Sequence, residues 1–115
     1  MDLLAIAPAG DRFAEAGANR NVRIRDLETP EILQEFRVQN SRITGLARHP
    51  SKPIIATASE ELEIRLWDLK TRKCVAKLRG SDREPTNLAF SPDGSRLAAS
   101  GQNVTRIWDL DLPIN

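Results

Sequence analysis

The chain has 115 residues, of which 40% are hydrophobic and 29% charged, with a formal net charge of +1. That length allows one small domain, and the balance of apolar to charged residues excludes wholesale disorder. No long run of like charge occurs and no apolar stretch approaches a membrane span, which argues against nucleic-acid and membrane partners.

In chain order, the first expected strands are about 3–7, 12–17, 22–25 and 31–38, with the turn Ala7-Pro8-Ala9-Gly10 between the first two. Glu31 to Phe36 could pass for a short helix on propensity alone. Its counterpart at 72–78 is strand-like, and that settles the segment as strand. Ser41 to His49 carries Ile43 and Leu46, then breaks at His49-Pro50-Ser51-Lys52-Pro53, where two prolines bar helix and central strand alike. Ile54 to Ser59, β-branched and small, is a buried strand. After the polar turn Glu60-Glu61-Leu62-Glu63, Ile64-Arg65-Leu66-Trp67 alternates with period two, as a half-covered strand does. Lys73 to Leu78 alternates again, placing Cys74, Ala76 and Leu78 on one face. Strands at about 86–90, 96–100 and 104–108 complete the set. The tail from Asp109 is interrupted by Pro113 and offers no further strand.

One phrase returns three times along this path. Val22-Arg23-Ile24-Arg25-Asp26-Leu27 is followed by Ile64-Arg65-Leu66-Trp67-Asp68-Leu69 and by Thr105-Arg106-Ile107-Trp108-Asp109-Leu110, with aspartates at 26, 68 and 109. A second phrase keeps the same beat: Ala7-Pro8-Ala9-Gly10, His49-Pro50-Ser51-Lys52 and Ser91-Pro92-Asp93-Gly94. Two independent phrases on one period of about forty residues define a repeated supersecondary unit. The expectation is a single domain of three repeats, approximately 1–39, 40–80 and 81–115, each an antiparallel sheet, with 4 + 4 + 3 strands.

This pattern resembles the WD-repeat family of β-propellers over essentially the whole chain. Trp67-Asp68 and Trp108-Asp109 supply the family's dipeptide, Arg25-Asp26 replaces it in the first copy, and Ala89 to Gly94 is similar to the family's turn between its first two strands. The resemblance implies an all-β fold of partial propeller blades. It also implies a buried network in which a His and an Asp of each blade bond back to its Ser or Thr and its Trp. Val38-Gln39 and Gly80-Ser81 stand at the His position, and Asn19 and Glu61 at the Asp position, so no copy holds the full set. Blades correctly shaped but weakly pinned are expected.

No catalytic, cofactor or metal residues emerge. His49, the only histidine, sits beside Pro50 and is expected as a surface turn residue. Ser91-Pro92-Asp93-Gly94 is turn chemistry rather than a metal loop. Cys74, the only cysteine, is expected as a small buried thiol, and no intrachain disulfide can form. Trp67 and Trp108 are expected to pack between blades. With no charged-then-apolar leader, the default location is cytosolic. In the family, partners commonly bind the face carrying the turns after the second and fourth strands. Arg20, Arg42, Glu60 and Arg83 are the candidate contacts there, exposed charge on turns being free for recognition.

Three blades cannot close a ring, and each buries its faces only against neighbours. Alone, the first copy is expected to expose Leu4, Ile6 and Phe13, and the last Phe90, Leu97, Val104 and Ile107. Met1 directly before a strand favours completion by a complementary propeller polypeptide or a truncation. A homo-oligomeric ring of two copies and a lone stack of three sheets stay open. The expected function is therefore a non-catalytic protein–protein interaction scaffold or sensor module. The alternative is an assembly subunit working through Leu4, Ile6, Phe90 and Ile107.

Overall fold

A computed structural model describes residues 3–6, 12–16, 21–29, 31–37, 43–60, 63–79, 87–101 and 104–110; for Leu3–Ile6, Phe36 and Val104 the backbone alone is described. Within these residues the chain is all β, with eleven strands in three antiparallel sheets. Sheet 1 holds β1 (Leu3–Ile6), β2 (Arg12–Ala16), β3 (Asn21–Asp26) and β4 (Ile32–Arg37). Sheet 2 holds β5 (Ile43–Arg48), β6 (Ile54–Ser59), β7 (Ile64–Asp68) and β8 (Lys73–Leu78). Sheet 3 holds β9 (Asn87–Phe90), β10 (Arg96–Gly101) and β11 (Val104–Asp109). Strands pair in chain order within each sheet, and β5 lies beside β1 on one side and β9 on the other. The sheets therefore stack like blades with their first strands adjacent, the arrangement expected from the repeat.

Register shows why the stack holds. On β6 and β7, Ile55 pairs with Trp67 on one face, while Ala56 pairs with Leu66 on the other. The Ile55 and Trp67 face meets Ala14, Ala16, Val22 and Ile24 of sheet 1 to form the first core. The Ala56 and Leu66 face meets Leu97 and Ala99 of sheet 3 to form the second, with Phe90 and Trp108 packed against it. Sheet 2 is covered on both sides, so every residue of β6 is buried. Ile54 and Ile55 on this strand are completely buried, each worth about 1.5–3 kcal/mol of hydrophobic stabilisation.

Two expectations about exposed faces are corrected by this stacking. Leu97 is fully buried, because it occupies the position of Ile55 and turns the same way, toward the preceding sheet. Phe90 pairs with Leu97 on that side and is half-buried. Of the third sheet's large apolar residues, Ile107 does face outward and is 64% exposed. In the first sheet, Phe13 is half-buried.

The outer strands carry a feature that alternation alone does not reveal. The pairing of β7 with β8 shifts between Leu66 and Trp67, so Trp67 meets Cys74 while Leu66 meets Ala76. Val75 is the extra residue of a β-bulge, which reverses the facing of everything beyond it. Cys74 consequently packs on the first core and Ala76 and Leu78 on the second, instead of sharing one face, and the thiol is half-buried rather than enclosed. The same shift recurs in sheet 1 between Ile24 and Arg25. The repeat thus extends to backbone irregularities.

Trp67 donates its indole N–H to Thr57 Oγ1 at 3.1 Å, both side chains being buried. Replacing Thr57 with Val keeps the shape but strands that donor, which costs about 1–3 kcal/mol. Replacing the exposed Ile107 with Ala costs less than about 0.5 kcal/mol. Urea denaturation of the two variants measures the contrast.

Candidate interaction surface

Antiparallel pairing sorts the turns onto two ends of the stack. The connections β2–β3, β4–β5, β6–β7, β8–β9 and β10–β11 lie at one end, and the others at the opposite end. Of the charged turn residues expected to meet partners at the first end, Glu60 is an exposed turn residue, whereas Arg20, Arg42 and Arg83 lie outside the described residues. Close by, Glu63 accepts from Arg65 Nε at 2.8 Å and Arg79 Nε at 3.1 Å. The Arg65 bond, foremost, and the Arg79 bond hold its carboxyl below the usual carboxylate range. Its charge is engaged within the fold, whereas Glu60 is exposed and stands in no ion pair among the described residues. Of the assembly candidates, Leu4 pairs with Glu15 and Ile6 with Phe13 along β1, while Phe90 and Ile107 lie on opposite faces of sheet 3.

The opposite end is built from self-satisfied turns. Asp26 Oδ1 accepts the amides of Glu28 and Thr29 at 2.8 and 3.3 Å, and Asp68 Oδ1 accepts that of Lys70 at 2.8 Å. These are Asx turns, the physical reason that an Asp recurs at this place in the repeat. Asp93 Oδ1 accepts the Ser95 amide at 3.0 Å, the Ser95 hydroxyl at 2.7 Å and the Ser91 hydroxyl at 2.8 Å. The Ser95 amide is the main cause that holds the carboxyl at a pKa of about 2.

His49 overturns its expected surface position. It is 2% exposed, and its ring stands edge-on to Phe90 with centroids 5.1 Å apart. Nδ1 accepts the amides of Ser51 and Lys52 at 3.1 and 3.0 Å, so the proton belongs on Nε2, which faces Gly94 of the next repeat. Gly94 has φ +76°, and a Cβ there would stand 2.2 Å from His49 Nε2. The histidine is a pin between sheets 2 and 3 that requires glycine opposite it. Burial, more than the nearby charges of Lys52 and Arg48, pushes its pKa down, against a raising bond to Gly94.

Among the described residues the sheets leave cavities at this end. One, of about 220 Å³, lies between sheets 1 and 2 and brings together Arg12, Arg48 and Lys70 over Ile24, Pro53 and Leu69. Another, of about 240 Å³ between sheets 2 and 3, is lined by His49, Lys52, Asp93 and Leu110 among others. The first gathers residues from four strands, β2 to β5, and from two turns, and no single stretch of sequence announces it. The only advance signal was the shared beat of the turns that deliver them. Among the described residues no group of three or more His, Cys, Asp or Glu is placed to hold a metal ion.

Comparison with known proteins agrees with this architecture. The WD domain, G-beta repeat, matches residues 30–68 and 72–109, which run from β4 to β7 and from β8 to β11. Pre-mRNA-processing factor 19 homolog 2 of Arabidopsis thaliana is 28% identical over 109 residues, covering 93% of this chain and 21% of the relative. Pre-mRNA-processing factor 19 of Mus musculus is 27% identical over 93 residues, covering 81% and 18%. Transducin beta-like protein 3 of Bos taurus is 29% identical over 110 residues, covering 93% and 14%. The chain thus spans about a fifth of the length of the first of these relatives. They also correct the cytosolic expectation, since several are named for processing pre-mRNA and that work belongs to the nucleus.

Two measurements test the histidine pin. Gly94→Ala combines backbone strain with a collision against a buried ring, and we expect a loss of about 2–4 kcal/mol in urea denaturation. Below about pH 6.5 the unfolded chain takes up a proton on its histidine that the folded chain resists. Stability is therefore full above that pH and falls as pH drops through it toward the lower folded value. Urea midpoints at pH 7.5 and 5.5 should show this fall in the wild type, and a smaller one in His49→Gln.

Proposed function

The chain belongs to the WD domain, G-beta repeat family, and from that premise we propose that it is a non-catalytic scaffold element that meets protein partners through its turns. The observation that carries the reading is rigid display. The buried middle sheet fixes the stack, so partners meet a preformed surface with little ordering cost. The names of its pre-mRNA-processing relatives support a nuclear place of work. Partner contact is proposed at the end that carries Glu60, an exposed turn residue, with Arg20, Arg42 and Arg83 as the further candidate contacts.

A second reading rests on Ile107, whose exposure on the outer face of sheet 3 suits the covering of that face by another sheet. In that case the chain completes a propeller with a complementary polypeptide or a second copy. One experiment separates the two. Capture of whole partner proteins is compared for wild type, for Glu60→Lys combined with Arg42→Glu, and for Ile107→Asp. The turn-face reading expects at least a fivefold loss with the charge reversals and no change with Ile107→Asp. The reverse pattern, with a fall in mass by light scattering for Ile107→Asp, would establish the assembly reading instead.

A further inference from the structure

The cavity between sheets 1 and 2 has an unusual charge balance. Arg12 opens β2, Arg48 closes β5 and Lys70 lies in the β7–β8 turn, and no acidic residue is among those that line the space. Among the described residues none of the three side chains stands in an ion pair. Arg23, Arg25, Arg65, Arg79 and Arg96 stand in ion pairs, whereas Arg37, Lys52, Arg72, Lys73 and Lys77 do not among the described residues. What distinguishes Arg12, Arg48 and Lys70 is that they line one cavity together. Arg48 is half-buried, and its Nη1 donates to the carbonyl of Lys52 at 2.9 Å, which fixes the guanidinium at the cavity wall. Burial first, and then the charge of Arg12, lowers its pKa from the usual guanidinium value. With Arg12 and Lys70 exposed and Arg48 half-buried, the cavity presents positive charge with no acid lining it, and an arriving anion would gain charge-assisted hydrogen bonds there.

We propose that this cavity receives an anionic side chain, carboxylate or phosphorylated hydroxyl, from an extended segment of a protein partner. The anion is held by Arg12, Arg48 and Lys70, while an aliphatic neighbour on the same segment rests on Ile24, Pro53 and Leu69. Several features favour a peptide over other anions. About 220 Å³ is the space of roughly seven waters, which suits one side chain and part of the next. The apolar walls give an inorganic ion nothing to contact. A nucleic-acid strand wants a longer basic groove with stacking aromatics, whereas the charge here is confined to one cavity. The proposal rests on the protein-interaction reading above, but it assigns a different end of the stack.

The test is a titration of the ¹⁵N-labelled full chain, followed by backbone amide shifts. The probes are capped five-residue peptides carrying Glu, phosphoserine or Gln beside a leucine, together with sodium phosphate and a short single-stranded oligonucleotide. Binding of the Glu or phosphoserine peptide should shift the amides of Arg12, Arg48, Leu69 and Lys70, and the Gln peptide should bind at least tenfold more weakly. Whichever of the two anionic peptides binds more tightly identifies the source of the charge. Combining Arg12→Glu with Lys70→Glu changes two exposed side chains, so an undisturbed spectrum with at least tenfold weaker binding is expected. Phosphate or oligonucleotide binding as tight as the peptides, or unchanged binding by the double variant, would overturn the proposal. Shifts confined to the Glu60 end would also overturn it while leaving the scaffold reading intact. No shift with any probe would overturn the cavity alone, because the scaffold reading is judged on capture of whole partners.

Discussion

A β-sheet that is apolar on both faces is stable only while both faces are covered, and the middle sheet of this chain is such a sheet. Ile55 and Trp67 look one way and Ala56 and Leu66 the other, so sheets 1 and 3 must be present for sheet 2 to stay out of water. The dependence is mutual but unequal. Each outer sheet has one covered face, and its stability is borrowed through a single interface, as in other repeat arrays where neighbours supply the cohesion. Everything that positions a surface on this molecule, from Glu60 at one end to Arg48 at the other, is hung on that stack.

One position in the repeat shows how three sheets of the same shape acquire different faces. Trp67 of sheet 2 bonds to Thr57, two residues beyond its own cross-strand partner Ile55. In sheet 3 the place of Thr57 is taken by Ala99, which has no hydroxyl, and Trp108 donates instead to the carbonyl of Arg79 at 3.2 Å. Its bond therefore reaches back to the end of sheet 2. In sheet 1 the same two places hold Arg25 and Glu15, and an ion pair of 2.5 Å replaces the tryptophan bond. Arg23 extends the pair to Glu35 at 2.6 Å, held there with the help of Asn21, and that bond lowers the Glu35 pKa. The outward face of sheet 1 thus bears charge where its siblings bear an indole.

The strand order, the sheet boundaries and the facing of Trp67 and Trp108 were legible in the sequence. Period-two alternation and a period near forty are local signals, repeated often enough to reinforce each other. The facing of Cys74 was not legible, because a bulge at Val75 changes the parity without changing the composition. His49 was misread for a different reason. A lone histidine beside a proline has the look of an exposed turn, and what buries it, Phe90 and Gly94, comes more than forty residues later. The weakly pinned blades expected from missing family residues also need qualification. The Trp67–Thr57 bond survives without them, and His49 adds a tie of its own between sheets.

The same accounting separates structural polarity from polarity left for recognition. At the end that carries Asp26, Asp68 and Asp93, the acids answer to amides and hydroxyls of their own turns, and His49 answers to two amides. Groups bonded in this way stabilise the chain's course and have little left to offer a ligand. The exceptions are cations. Among the described residues the side chains of Arg12, Arg48 and Lys70 stand in no ion pair, although Asp26 lies across from Arg12 and Asp68 accepts the Lys70 amide, and Arg48 gives its Nη1 to a carbonyl. A fold that pairs Arg23, Arg25, Arg65 and Arg79 with acids has shown that its arginines can be paired where stability calls for it. What sets Arg12, Arg48 and Lys70 apart is convergence: among the described residues they bring three cations and no acid to one cavity, where a partner's anion has charge to meet.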